Sequence, residues 1–277
     1  MEYFSEEFKE FIHNYLEIAF AFLAGSALTY FVMCKKLTGK RRKNDFPKDV
    51  VIVHGFGRGP YCPSLCGFCL KIETYLRINK IPYKCGKDLK EGYLPWTEYN
   101  GEVVQYFQRP LYTNVDRILT DEEKAICRAF QIMIEENLTW CVALSRWVYG
   151  YTDNSWTGVN WLQRKLAGLS ASRKARVVGI GRQTQSEVEH ILEDNMKALS
   201  DFLSKKDFMM GSKPTEIDCI AFGILAQILW HSPQQPCEKW INEKYLNLKN
   251  YCLRMKELYW KDWDECITHG GTREATR

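Results

Sequence analysis

The period of apolar positions changes several times along this chain, and each change marks an element. From Ile18 to Cys34 the run IAFAFLAGSALTYFVMC has no charge and is apolar on all sides, which predicts a helix without a polar face. Such a helix is about 26 Å long at about 1.5 Å per residue, close to the ~30 Å of a bilayer core. Val50 to His54 is a short β-branched run without alternation, as in a strand buried on both faces. Between Ser64 and Asn79 the period shifts: Leu65, Phe68, Cys69, Ile72, Tyr75, Leu76 and Ile78 recur at spacings of three and four, predicting a helix with Ser64 as its N-cap. IPYKC (81–85) is a second strand, and YLPWTEYNGEVV (93–104) places Asn100-Gly101 between two apolar-bearing runs, a hairpin signal.

Strand, helix, strand and hairpin in that order make up the frame of a thioredoxin-like α/β unit. In that frame Pro95 stands beside the start of the helix. After Thr120 the pattern is helical throughout. Thr120 with Glu123, Ser186 with Glu189 and Thr215 with Asp218 read as helix openings of the capping-box type. The run after Thr215, CIAFGILAQILW (219–230), is apolar nearly all round and belongs at the centre of a helical unit. The expected organisation is a tail and anchor (1–34), a basic linker (35–48), a thioredoxin-like domain (49–112), an all-helical domain (118–265) and a flexible tail (266–277).

Charge sets the orientation of the anchor. Lys35, Lys36, Lys40, Arg41, Arg42 and Lys43 follow the apolar run at once, whereas Glu2, Glu6, Glu7 and Glu10 precede it. A signal peptide carries its positive charge on the other side, and positive residues stay cytosolic. The body is therefore expected to face the cytosol on a single-pass anchor, in an organelle left open among the mitochondrial outer membrane, lysosome and endoplasmic reticulum. The net charge is only +4 and much of it lies in this cluster, which argues against nucleic acid as a partner. Eleven cysteines, several inside helical apolar patterns, fit free thiols in a reducing compartment better than a disulfide framework.

The densest chemistry is in PYCPSLCGFCLK (60–71), with Cys62, Cys66 and Cys69. Their spacing matches the iron–sulfur loop of radical S-adenosylmethionine enzymes, but those need a β/α barrel, and this chain turns helical after residue 120. Two sharper readings remain beside the plain one of packed cysteines at a helix start. Cys66 and Cys69 are a candidate dithiol, with Cys66 as the nucleophile at a helix N-terminus, where a thiol's pKa is lowered. Alternatively, Cys62, Cys66 and Cys69 are a candidate soft-metal site, suited to Cd²⁺, Zn²⁺ or Cu⁺. GFGRG (55–59) is followed by Pro60 and lacks the context of a nucleotide loop. His54, His190 and His231 suggest no triad. Trp140, Trp147, Trp156 and Trp161 are expected in the core and domain interface, and Arg182 either in an interdomain cleft or on a solvated loop.

The blocks CLKIETYLRINKIPYK, LPWTEYNGE, LTDEEKAICRAFQ, VGIGRQTQSEVE and ALSDFLSKKDFMMGSKPTEIDCIAFGILAQIL resemble the failed-axon-connections and cadmium-responsive branch of the metaxin-related, glutathione-transferase-like family. The resemblance runs over roughly residues 50–265. It implies a thioredoxin-like N-terminal unit, an all-helical transferase-like C-terminal unit and, as in nematode cadmium-responsive members, an N-terminal anchor. It implies a role in metal or oxidative stress or as an interaction module, with glutathione or a Cd ion as ligand and a second copy or a membrane protein as partner. Leu94 and Pro95 are placed by it against the backbone of glutathione. In the family serine is common where Cys66 stands. The family's serine-bearing turn for the γ-glutamyl group is missing: after NGEVV the chain reads QYFQRPLYTNVDRILT, with Tyr106 after Gln105 and a helix-breaking Pro110. The third helix of the thioredoxin-like unit is expected to be shortened or lost.

Overall fold

The structure, a computed structural model, describes residues 48–86, 95–104, 119–152, 157–272 and 274–276. The expected anchor, most of the basic linker, Leu94, the 105–118 segment and Trp156 lie outside the described residues. Among the described residues no helix is long and apolar enough to cross a membrane.

Strand β1 (Val51–His54) is buried along its whole length. Helix α1 (Gly67–Ile78) follows, and β2 (Tyr83–Gly86) pairs parallel to β1, with Val51 opposite Tyr83. Strands β3 (Trp96–Tyr99) and β4 (Glu102–Val104) form the antiparallel hairpin. The sheet order is β2-β1-β3-β4, so β1 lies inside the sheet and reads as an unbroken apolar run. Val51 and Val53 pack with Tyr75 and Leu76 of α1. The hairpin turn needs positive φ at both central residues, and Asn100 (φ 50) and Gly101 (φ 85) supply it.

The helical part starts with α2 (Asp121–Ile132), a π-helical turn (Met133–Leu138) and α3 (Thr139–Trp147). Helices α4 (Trp161–Val178), α5 (Gln185–Leu203), α6 (Glu216–Trp230), α7 (Pro236–Glu243) and α8 (Leu246–Tyr259) follow. Thr120 and Glu123 cap α2 as expected. Helix α5 is capped by Thr184 and Glu187, two residues before the expected pair, while Glu189 pairs with Tyr151 and Gln185. Every residue of α6 from Ile217 to Leu229 is buried. At its start the Asp218 carboxylate accepts from the Thr215 N–H and hydroxyl, the Met209 N–H and the Tyr251 hydroxyl.

Helix α1 crosses α6 at a pair of glycines. A Cβ on Gly67 would stand 2.9 Å from the Gly223 carbonyl oxygen, and one on Gly223 would stand 2.5 Å from that of Gly67. Side chains there would force the helices apart, and with them the loop that carries the cysteines.

Candidate functional site: the thiol pair at the start of α1

The N-cap of α1 is Cys66 itself, in extended conformation (φ −113, ψ 120). Ser64, the expected cap, sits two residues earlier, and its hydroxyl accepts from the Cys66 N–H at 3.1 Å. This shift places the half-buried Cys66 sulfur at the positive end of the helix without closing a tight capping bond. The buried Cys69 thiol one turn on faces it. Three features lower the Cys66 pKa against the cost of burial: the Cys69 thiol, the amides of Cys69 and Phe68, and the Arg146 guanidinium. Cys69 moves the other way, raised first by the Cys66 sulfur and then by burial. The proton of the pair therefore stays on Cys69 and the thiolate forms on Cys66.

A buried polar cluster from the helical part holds this loop. Arg146 of α3 donates to the Leu65 carbonyl (3.1 Å) and to Gln227 Oε1 (3.2 Å). Gln227 of α6 donates through Nε2 to the Ser64 carbonyl at 3.0 Å. His231, just past α6, accepts through Nε2 from the N–H groups of Tyr61 and Cys62 at 3.2 and 3.1 Å. With Nε2 accepting, the ring proton sits on Nδ1, 3.3 Å from Gln227 Oε1. Burial, then Arg146, holds the His231 pKa well below its ordinary value, so the ring is neutral. Burial lowers Arg146 to about 10, which leaves it charged at neutral pH. None of these three residues was singled out as a site residue in sequence: Arg146 and Gln227 sit in helical patterns, and His231 reads there as one of three scattered histidines.

The three cysteines of the candidate metal site do not converge. Cys62 is fully buried beside Gln227 Nε2, and burial pushes its thiol up to about 12. Among the described residues no group of three His, Cys, Asp or Glu side chains is placed to hold a metal ion. Pro95 is buried just ahead of β3; its neighbour Trp96 stacks on His54 with ring centroids 3.7 Å apart. Side chains of α1 make ion pairs with three other segments, among them Arg77 with Asp262 at 2.5 Å. Lys71, nearly fully buried, meets Glu135 of the π-helical turn at 2.5 Å, and Arg58 meets buried Glu73 at 2.9 Å. Arg182 is exposed and donates to the Arg176 carbonyl in the last turn of α4, so the solvated reading applies.

Two family models match the chain: the glutathione S-transferase N-terminal domain over residues 67–154 and the glutathione S-transferase C-terminal domain over 192–255. Failed axon connections of Drosophila melanogaster is 30% identical over 82% of this chain and 62% of its own length. Human metaxin-2 is 31% identical over 70% of this chain and 82% of its own length. The chain belongs to the metaxin-related, glutathione-transferase-like family. The beta-etherase LigF of Sphingobium shares the fold of this family member with a TM-score of 0.54, at 17% identity over 78% of this chain and 98% of its own. In this metaxin-related chain the cysteine pair stands where the thioredoxin-like unit meets the helical unit. The Arg146–Gln227–His231 cluster reaches the loop from the helical unit, and the segment after α8 also bonds to it through the Gly270 N–H and the Pro60 carbonyl.

Proposed function

We propose that this protein is a glutathione-linked thiol–disulfide oxidoreductase, tethered to a membrane by its N-terminal apolar segment and acting in metal or oxidative stress. The observation that carries the reading is geometric: Cys66 is the N-cap of α1, half-buried, with the buried Cys69 thiol one turn on, and the directions of their shifts, Cys66 lowered and Cys69 raised, agree with it. The Cys66 thiolate attacks a substrate disulfide, forms a mixed disulfide and expels one substrate thiolate. Cys69, losing its proton, then attacks Cys66 and releases the second substrate thiol, so the substrate gains two electrons and the dithiol becomes a disulfide. Two molecules of glutathione restore the dithiol and leave as glutathione disulfide.

Glutathione enters the reading through the family models and through Pro95, which the resemblance sets against the backbone of glutathione. The γ-glutamyl serine turn is not in the sequence, which favours glutathione as a transient reductant over a tightly held ligand. Soft cations such as Cd²⁺ would compete for the same two thiolates. The test is a trap. In Cys69→Ser, glutathione disulfide is expected to leave one glutathione on Cys66, found by peptide mass mapping. The unsubstituted protein should form a Cys66–Cys69 disulfide instead. An unmodified Cys66 in the trap variant would contradict the proposal.

A further inference from the structure

Helix α4 is turned inside out relative to an ordinary surface helix. Its buried residues are small: Ala171 and Ala175 face the protein, and a Cβ on Gly168 would stand 2.7 Å from the Trp147 carbonyl oxygen. Its large apolar side chains point outward. Trp161 is 61% exposed, Leu162 57%, Leu166 56%, Leu169 69% and Val177 77%. At 3.6 residues per turn Leu162, Leu166, Leu169 and Val177 share one stripe, opposite Ala171 and Ala175. Arg173 rises within the stripe, Lys165, Arg176 and Lys174 flank it, and the helix has no acidic residue at all. Towards its C-terminal end a depression of about 470 Å³ is lined by Trp140 and Val177, with Arg173 and Lys174 beside them.

We infer that α4 is a membrane-surface helix, lying along an anionic lipid bilayer with Leu162, Leu166, Leu169 and Val177 among the acyl chains and its cations at the headgroups. Exposed leucines among Lys and Arg whose long stems can lie along apolar surface while their charges reach the headgroups, with a tryptophan at one end, suit a helix lying against an anionic lipid surface. A second copy of the chain is a poor occupant. A two-fold contact on this face would set the same cations against each other with no carboxylate on the helix to offset them. An anionic surface supplies the missing charge along the whole helix. The inference is independent of the thiol chemistry.

The full chain can be tested directly, because its nine tryptophans all lie after residue 95 and none in the expected anchor. Reconstituted into vesicles of brominated phosphatidylserine, the protein should show tryptophan quenching that brominated phosphatidylcholine does not produce. Trp161→Phe should remove the anionic-specific quenching, and so should the triple variant Leu166→Gln, Leu169→Gln, Val177→Gln. All three substitutions are at exposed sites, so the circular dichroism spectrum should not change. Equal quenching in the two lipids, or quenching that survives both variants, would overturn the inference. So would light scattering in detergent showing a dimer that the triple variant dissolves, since this face would then belong to a second copy.

Discussion

Cys66 and His231 are far apart in sequence, yet one polar cluster sets the state of both. Arg146 raises the local positive potential, which favours the Cys66 thiolate and disfavours a His231 cation. Replacing Arg146 with methionine removes the donor for Leu65 O and Gln227 Oε1. An unsatisfied buried acceptor costs about 1–3 kcal/mol, so Arg146→Met is expected to lower unfolding stability by about 3 kcal/mol in denaturant titration and to move the Cys66 alkylation profile to higher pH. His231 gives a second expectation, with a definite sign. Its folded pKa is depressed, so below the unfolded value of 6.5 the unfolded chain takes up a proton that the folded chain does not. Stability is then lost as pH falls below that value, by up to about 1.4 kcal/mol per pH unit. In His231→Gln this contribution should vanish, and a slope unchanged from the parent would show that the ring is not held neutral. The cluster was hidden in the sequence for a physical reason. Gln227 and His231 lie more than 160 residues from the loop they hold, and periodicity reports faces of helices, not partners across a fold.

At the scale of elements, local pattern was enough where local chemistry decides. The β1 run, the Asn100-Gly101 turn and the Thr215–Asp218 start of α6 were all legible, because burial period, positive φ and capping are short-range properties. Two caps were misplaced for the same reason. Thr184 and Ser186 each have Glu three residues on, so the sequence offers two equivalent starts for α5, and Ser64 lies close enough to α1 to mimic its cap. Thr184→Ala is expected to lower the melting temperature, whereas Ser186→Ala should leave it unchanged. The glycine crossing of α1 and α6 makes a stronger demand. Gly223→Ala should cost about 1–3 kcal/mol, as overpacking does, while Gly57→Ala, with open space around it, should stay within about 0.5 kcal/mol. Equal melting temperatures for the two variants would show that the helices are not in backbone contact. In α4 the periodic apolar residues lie on the outside, so a reading that assigns the apolar face to the core points the wrong way; Trp161, expected in the core, is exposed there.

For the whole molecule, the thioredoxin-like sheet supplies the cysteine loop and the helical unit supplies the charges that tune it, so neither part alone makes the thiol site. The basic linker and α4 both carry clustered cations in a chain whose net charge is only +4, and those of α4 are the ones read as lying at a lipid surface. If the apolar segment from Ile18 to Cys34 spans the bilayer, the protein stays in the membrane pellet through an alkaline carbonate wash; release into the supernatant would remove the tether from the account. The central claim is that the Cys66 thiol ionises more readily than an ordinary thiol and more readily than its neighbours. Its most direct test is the pH dependence of alkylation by iodoacetamide, followed residue by residue in the folded protein by peptide mass mapping. Cys66 should react with a midpoint below the ordinary thiol value, and this midpoint should rise in Cys69→Ser. Buried Cys62 and exposed Cys85, whose sulfur is tucked between Arg58 and Glu73, should lag behind. A Cys66 midpoint at or above that of Cys85 would contradict the account.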